Sequence, residues 1–128
     1  MKIPGPDHPI SIEPNQNRVR VTMGGTVLAD STRALTLREA SLPPVHYLPR
    51  EDAQMARFER TERVTHCPYK GDASYYTLRT EDRRAENAVW SYEAPFPAVA
   101  AIAGHLAFYP DHVEIIELPA RAEPPPQA

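Results

Sequence analysis

The chain has 128 residues, a hydrophobic fraction of 41% and a net charge of -3, the profile of one globular domain rather than of a general nucleic-acid binder, which carries a basic excess. Its single cysteine excludes an internal disulfide and every zinc site built on two or more thiolates. No apolar run reaches the roughly 18 residues of a helical membrane span, and Met1 to Ile10 shows no leader pattern, so a cytoplasmic protein with no membrane partner is expected.

Proline fixes φ and lacks a backbone donor, so Pro4, Pro6, Pro9 and Pro14 mark residues 1–16 as an extended arm. Arg18 to Met23 alternates polar and apolar, which predicts a strand with Val19, Val21 and Met23 inward. Gly24-Gly25 predicts a two-residue hairpin into a second strand, Thr26 to Asp30. Arg33 to Glu39 alternates again, with Leu35 and Leu37 inward, and Val45 to Leu48 is a short strand between prolines. Arg50 to Met55 suits one helical turn, because Pro49 precedes Glu51 and Asp52.

Arg63 to His66 reads as short and extended, and Gly71-Asp72 as a turn. Ala73 to Arg79 is a strand rich in Tyr and Thr, Thr80 to Arg83 a charged turn, and Arg84 to Tyr92 a strand with Ala88, Trp90 and Tyr92 on one face. Pro97 to Ala103 has a helix signature, with proline at its start and Gly104 at its exit. Leu106 to Tyr109 and His112 to Leu118 suggest a closing hairpin around Pro110-Asp111. The fold expected is mainly β with minor α: a single compact, curled antiparallel sheet, barrel-like or sandwich, with one or two short helices. It occupies residues 17–118, and the proline-rich 119–128 is expected to be a disordered tail.

The chemistry concentrates in Thr65 to Tyr75, T-H-C-P-Y-K-G-D-A-S-Y. Cys67 is the candidate nucleophile or redox thiol; the plainer reading is a small buried residue at a strand end. Lys70 is a candidate to activate Cys67 through the turn; His66 precedes Cys67 and points to the opposite face of an extended segment, which leaves His46 and His105 as the candidate bases if the fold brings either close. Lys70 beside Gly71 offers a point charge to a phosphate or carboxylate, or is a solvated lysine in a turn. Arg50, between Tyr47 and the acidic Glu51 and Asp52, either binds an anion bidentately or fixes its own loop. Trp90 to Glu93 carries the only tryptophan, as a pocket wall or as core. His8 and His112 read as surface residues, and no histidine or cysteine spacing suggests a metal site or a cofactor.

Taken together, V-R-V-T-M-G-G-T-V-L-A-D-S, Y-L-P-R-E-D, T-H-C-P-Y-K-G-D-A-S-Y, W-S-Y-E-A-P and A-A-I-A-G-H-L-A-F-Y-P resemble the bacterial domain of unknown function 427 family, in order, over about residues 18–118. Leu48 replaces the family's usual aromatic, and Ala94 its usual acid. The resemblance implies a small, mainly β domain. It places a site on Tyr47, Pro49, Arg50, His66, Cys67, Pro68, Tyr69, Lys70, Gly71, Trp90, Tyr92 and Glu93 without naming a reaction. Some members are labelled nucleotidyltransferase-like, but that chemistry needs carboxylates arranged on divalent metal, and the G-S and D-x-D features are absent here.

The leading expectation is a pocket for a small anionic, nucleotide-like ligand, lined by Tyr47, Arg50, His66, Cys67, Tyr69, Lys70, Trp90, Tyr92 and Glu93. The alternatives are an enzyme using Cys67 and a protein-interaction module acting through the proline-rich ends or a sheet edge. A homodimer through such an edge is compatible with each.

Overall fold

The computed structural model describes residues 1–119 of the chain, so nearly all of the expected tail, 120–128, lies outside the described residues. Ten strands are formed: β1 Ile10–Pro14, β2 Arg18–Met23, β3 Thr26–Ser31, β4 Leu35–Glu39, β5 Val45–Tyr47, β6 Phe58–Cys67, β7 Gly71–Arg79, β8 Arg84–Ser91, β9 Ala107–Phe108 and β10 Glu114–Leu118. They pair antiparallel in three sheets, ordered β1-β4-β5, β10-β2-β3 and β6-β7-β8-β9. A two-way backbone bridge between Leu48 and Leu106, both bonds 2.8 Å, joins the first sheet to the third. The mainly β expectation holds, as a curled set of sheets rather than a closed barrel among the described residues.

The β2-β3 hairpin forms where expected. Gly24 (φ 57°) and Gly25 (φ 85°) both sit in the left-handed region that such a two-residue turn requires. The expected arm is extended, but its second half is β1, an edge strand in register with β4 from Ile10 opposite Glu39 to Pro14 opposite Leu35. Pro14 at the strand's end costs no ladder bond of the kind a central strand needs. The expected short segment Arg63 to His66 is the end of a ten-residue strand, β6. Glu59, Arg60, Glu62 and Arg63 mask its alternation, because an edge strand needs little apolar surface and charges discourage pairing with another chain.

Three expectations fail. The closing hairpin does not form, since β9 pairs with β8 and β10 with β2. Pro110-Asp111 instead carries the chain from one sheet to another. The helix expected over Pro97 to Ala103 is a pair of 3-10 turns, Pro97–Ile102, interrupted at Val99, whose φ/ψ of -124°/27° is not helical. Val99 and Ile102 are the residues that the pair buries. The turn expected at Gly71-Asp72 lies one step earlier, at 68–70, and Gly71 (φ 108°) opens β7.

Two cores result. One fills the space between β2-β3 and one face of β6-β9, with Val19, Val21, Leu28, Tyr76, Leu78, Val89 and Phe108. The other lies on the opposite face of β7-β8, against β4, β5 and the 97–102 turns, with Leu37, Tyr47, Tyr75, Tyr92, Val99 and Ile102. Strand alternation decides which residue goes where: Tyr75 opposite Trp90 faces the second core, and Tyr76 opposite Val89 the first. β7 is also bent. From Tyr76 to Leu78 it advances two residues while β8 goes from Val89 back to Ala85, four positions. Asn87 takes the strain there at φ 52°, held by its N–H on Thr77 Oγ1 (3.1 Å) and by Thr61 Oγ1 on its Oδ1 (2.6 Å). Among the described residues no helix is long and apolar enough to cross a membrane.

Candidate functional site

The second core is open on one side, as a pocket of about 220 Å³. β5 brings Tyr47, the 68–70 turn Lys70, and β8 with its exit Trp90 and Tyr92, so four of the expected site residues line one cavity. Glu39 at the end of β4, Tyr75 on β7 and Tyr109 after β9 also line it, with the apolar Leu37 and Val45.

Lys70 is only 7% exposed. Its backbone is fixed from two sides, its N–H reaching the Cys67 carbonyl (3.3 Å) and its carbonyl accepting from Phe96 N–H (3.0 Å). Its ammonium pairs with Glu39. The other Glu39 oxygen accepts from His8 Nε2 at 2.7 Å, and the His8 ring stacks on Tyr69 with centroids 3.9 Å apart. His8 is therefore not the surface residue expected, and Tyr69 serves the arm rather than the pocket. Burial alone would raise the Glu39 carboxyl, but hydrogen bonds from Lys70 and His8 outweigh it and hold the group below its ordinary value.

The aromatic residues form one connected set. Trp90 Nε1 donates to Tyr47 Oη (3.2 Å), with the two rings edge to face. Tyr109 lies 4.5 Å from Trp90, centroid to centroid, and stacks beside Tyr75. Tyr75 shares a 2.9 Å hydrogen bond with Thr65 Oγ1, and the Arg63 guanidinium sits 4.9 Å from its ring. These environments split the phenols. Burial pushes Tyr47 and Tyr92 far up, beyond the ordinary tyrosine range, and Tyr109 up to about 12. Burial acts on Tyr75 as well, but Thr65, Tyr109 and Arg63 outweigh it and leave that phenol below the ordinary value. In an ultraviolet titration of the folded protein, Tyr75→Phe is expected to remove phenolate absorbance from the early part of the tyrosine transition. Tyr47→Phe is expected to leave that absorbance unchanged; equal losses from the two variants would contradict the split.

Arg50, Glu93 and His66 do not join this pocket. They lie on the opposite face of β7-β8 with Ser74 and Tyr76. Glu93 accepts from Arg50 (3.0 Å), Arg60, Ser74 and Tyr76, and Arg50 also reaches Ser91 Oγ (3.3 Å). Arg50 thus fixes its own surroundings, the plainer of its two expected roles. His66 is exposed and donates to Asp72 at 2.8 Å across the β6-β7 pair. Cys67, on the other face of β6 as alternation requires, packs half-buried against the second core. The remaining candidate bases are engaged elsewhere, His46 with Thr36 and Glu117 and His105 with the Ala103 carbonyl. A larger groove of about 520 Å³ runs past His46, but its Asn15, Asn17, Thr36 and Glu117 side chains bond mainly to one another, stapling the β1-β2 turn to β4 and β10. Among the described residues no group of three or more His, Cys, Asp or Glu is arranged to hold a metal ion.

Five carboxylates lie below their ordinary values. Arg18 lowers Asp30, Asn15 and Asn17 lower Glu117, and in Glu39, Asp52 and Glu93 hydrogen bonds overcome burial. A carboxylate with a depressed folded pKa contributes stability above its unfolded value, roughly 4, and loses it as pH falls through the folded one. The melting temperature is therefore expected to be flat from neutrality to about pH 5 and to fall steeply below it; calorimetry at a series of pH values checks this. A melting temperature that rises on acidification would contradict it.

Sequence reasoning missed Glu39, Tyr75 and Tyr109 as pocket residues. One signal was available, since Tyr75 alternates with Ala73 on the face of β7 away from Ser74. Glu39 gave none, being separated from Lys70 by 31 positions.

Residues 11–118 match the family model described as Domain of unknown function (DUF427). No curated protein matches the sequence.

Proposed function

Because the chain belongs to the DUF427 family, whose description names no activity, we propose from the pocket itself that the domain binds a small, acceptor-rich, partly planar ligand between Lys70 and the Trp90 wall. The observation that carries this reading is a buried ammonium set among aromatic side chains and hydroxyl donors. Tyr47 accepts from Trp90 through its oxygen, so its own proton is free to donate outward. Tyr92 stays protonated because burial opposes its ionisation. Lys70 has three N–H donors, and one goes to Glu39. This surplus of donors suits a carboxylate or carbonyl. The Lys70-Glu39 pair is neutral as a unit, so recognition rests on hydrogen bonds and stacking rather than on net charge. At about 220 Å³ the cavity falls short of the roughly 300–1,000 Å³ of ordinary ligand sites, which favours a ligand smaller than a nucleotide.

Cys67 as a nucleophile is less well supported, because His46, His66 and His105 all have other partners.

The test is calorimetric titration with benzoate, phenylpyruvate, inorganic phosphate and adenosine monophosphate. An aromatic carboxylate is expected to bind, and Tyr47→Phe to weaken it by up to about tenfold, the loss of one hydrogen bond. Arg50→Ala should leave the affinity unchanged. Binding lost in Arg50→Ala but kept in Tyr47→Phe would move the site to the other face, and no binding by any of the four compounds would overturn the proposal.

A further inference from the structure

One phenol of the pocket is built differently from the rest. Among the described side chains Tyr47 Oη meets only Trp90 Nε1, whereas the Tyr75 oxygen meets Thr65 Oγ1 at 2.9 Å and Tyr109 Oη at 3.4 Å, with the Arg63 guanidinium over its ring. Each of these can donate a hydrogen bond or positive potential to a phenolate. None of the nearby acids, Glu39 included, is hydrogen-bonded to that oxygen. A pocket that sets one phenol oxygen against two hydroxyls with a guanidinium over its ring, beside phenols without such partners, has the division of labour found in acid–base sites.

We propose that Tyr75 is a proton-transfer residue and that the ligand is an enolisable α-keto acid. This rests on the binding reading above. The acid's carboxylate takes the free Lys70 donors, its ketone oxygen takes the Tyr47 and Tyr92 hydroxyls, and its side group lies on Trp90. The Tyr75 phenolate removes a proton from the carbon next to the ketone. The C–H electron pair becomes the C=C bond of the enolate, and the C=O π pair moves onto the oxygen, held by the two hydroxyls. Return of the proton from Tyr75 to carbon regenerates the ketone and the phenolate, with no redox partner. Burial keeps Tyr47 and Tyr92 protonated, while the Thr65, Tyr109 and Arg63 contacts outweigh burial at Tyr75, consistent with these roles. The titratable and charged groups around Tyr75 are Arg63 and Cys67 on β6, Tyr109 after β9, Lys70 in the turn, Glu39 on β4, Tyr47 on β5 and Tyr92 after β8.

The experiment follows exchange of the protons next to the ketone of phenylpyruvate in D₂O by NMR, with the intact protein and against the protein-free rate. Accelerated exchange is expected, falling by about 100-fold in Tyr75→Phe, the range of a lost general base, while phenylpyruvate still binds. Arg63→Met, on an exposed strand, should move the midpoint of the pH–rate profile upward, and this readout stands if Tyr75→Phe does not fold. Exchange unchanged in Tyr75→Phe, an unmoved midpoint in Arg63→Met, or no acceleration although phenylpyruvate binds would each overturn the inference and leave the binding proposal intact. Absence of both binding and acceleration overturns this inference, and the four-compound titration then decides the binding proposal separately.

Discussion

Lys70→Met is expected to lower the melting temperature by roughly 10 °C, the equivalent of about 3 kcal/mol in a domain of this size. The reason lies in what the substitution leaves behind. The Lys70 and Glu39 side chains are 9% and 12% exposed, so removing the ammonium strands a largely buried carboxylate. His8 remains as its partner at 2.7 Å, which keeps the loss at the low end for a broken buried pair. Two companion measurements make the cause specific. The deficit should shrink as pH falls, because protonating Glu39 removes the stranded charge. Lys70→Met combined with Glu39→Leu should recover most of the stability, since replacing both partners by apolar groups of similar volume is often neutral or better. A single variant melting within a degree or two of the parent would mean that the pair is solvated and energetically idle.

Trp90→Ala carries the second large effect, a loss of about 3 kcal/mol read as a lower urea midpoint. The indole sits in the ladder between Tyr75 and Ala107, packs against Tyr47 and Tyr109, and gives Tyr47 its hydrogen bond. Trp90→Phe should restore part of the packing but not the N–H, and so fall between the parent and the alanine variant. It also distinguishes wall from donor: if ligand affinity drops in Trp90→Phe as far as in Trp90→Ala, the indole acts through orienting Tyr47 rather than through stacking. A loss below about 1 kcal/mol in Trp90→Ala would show that the pocket side of β8 is not supported by this ring.

The elements legible in the sequence were those whose pattern is local. The Gly24-Gly25 hairpin follows from backbone freedom at two positions, and β2 from alternation of Val19, Val21 and Met23. β6 was only partly visible because its edge position lets charged residues occupy both faces. The last two strands were misassigned to each other because adjacency in the chain says nothing about which sheet each joins; Phe108 faces Val89, and Ile115 faces Val21. The same limit governed the site. Lys70, Tyr47, Trp90 and Tyr92 stood out by residue type, but their grouping with Glu39 and separation from Arg50 and Glu93 depend on which face of β7-β8 each meets. Face is set by long-range register, which one sequence does not display.

That dependence on register makes chain length in β8 a matter of parity. Side chains alternate with period two, so adding or removing a single residue between Ala85 and Val89 would turn Trp90 out of the aromatic cavity and onto the side held by Glu93. Deleting two residues would preserve the alternation and leave Trp90 in place, and would straighten the bulge that Asn87 now absorbs, whereas adding two would enlarge it. Natural variants of this domain should therefore differ freely in length at the Gly24-Gly25 and Thr80-Arg83 turns, and by even steps only along the strand that carries the tryptophan.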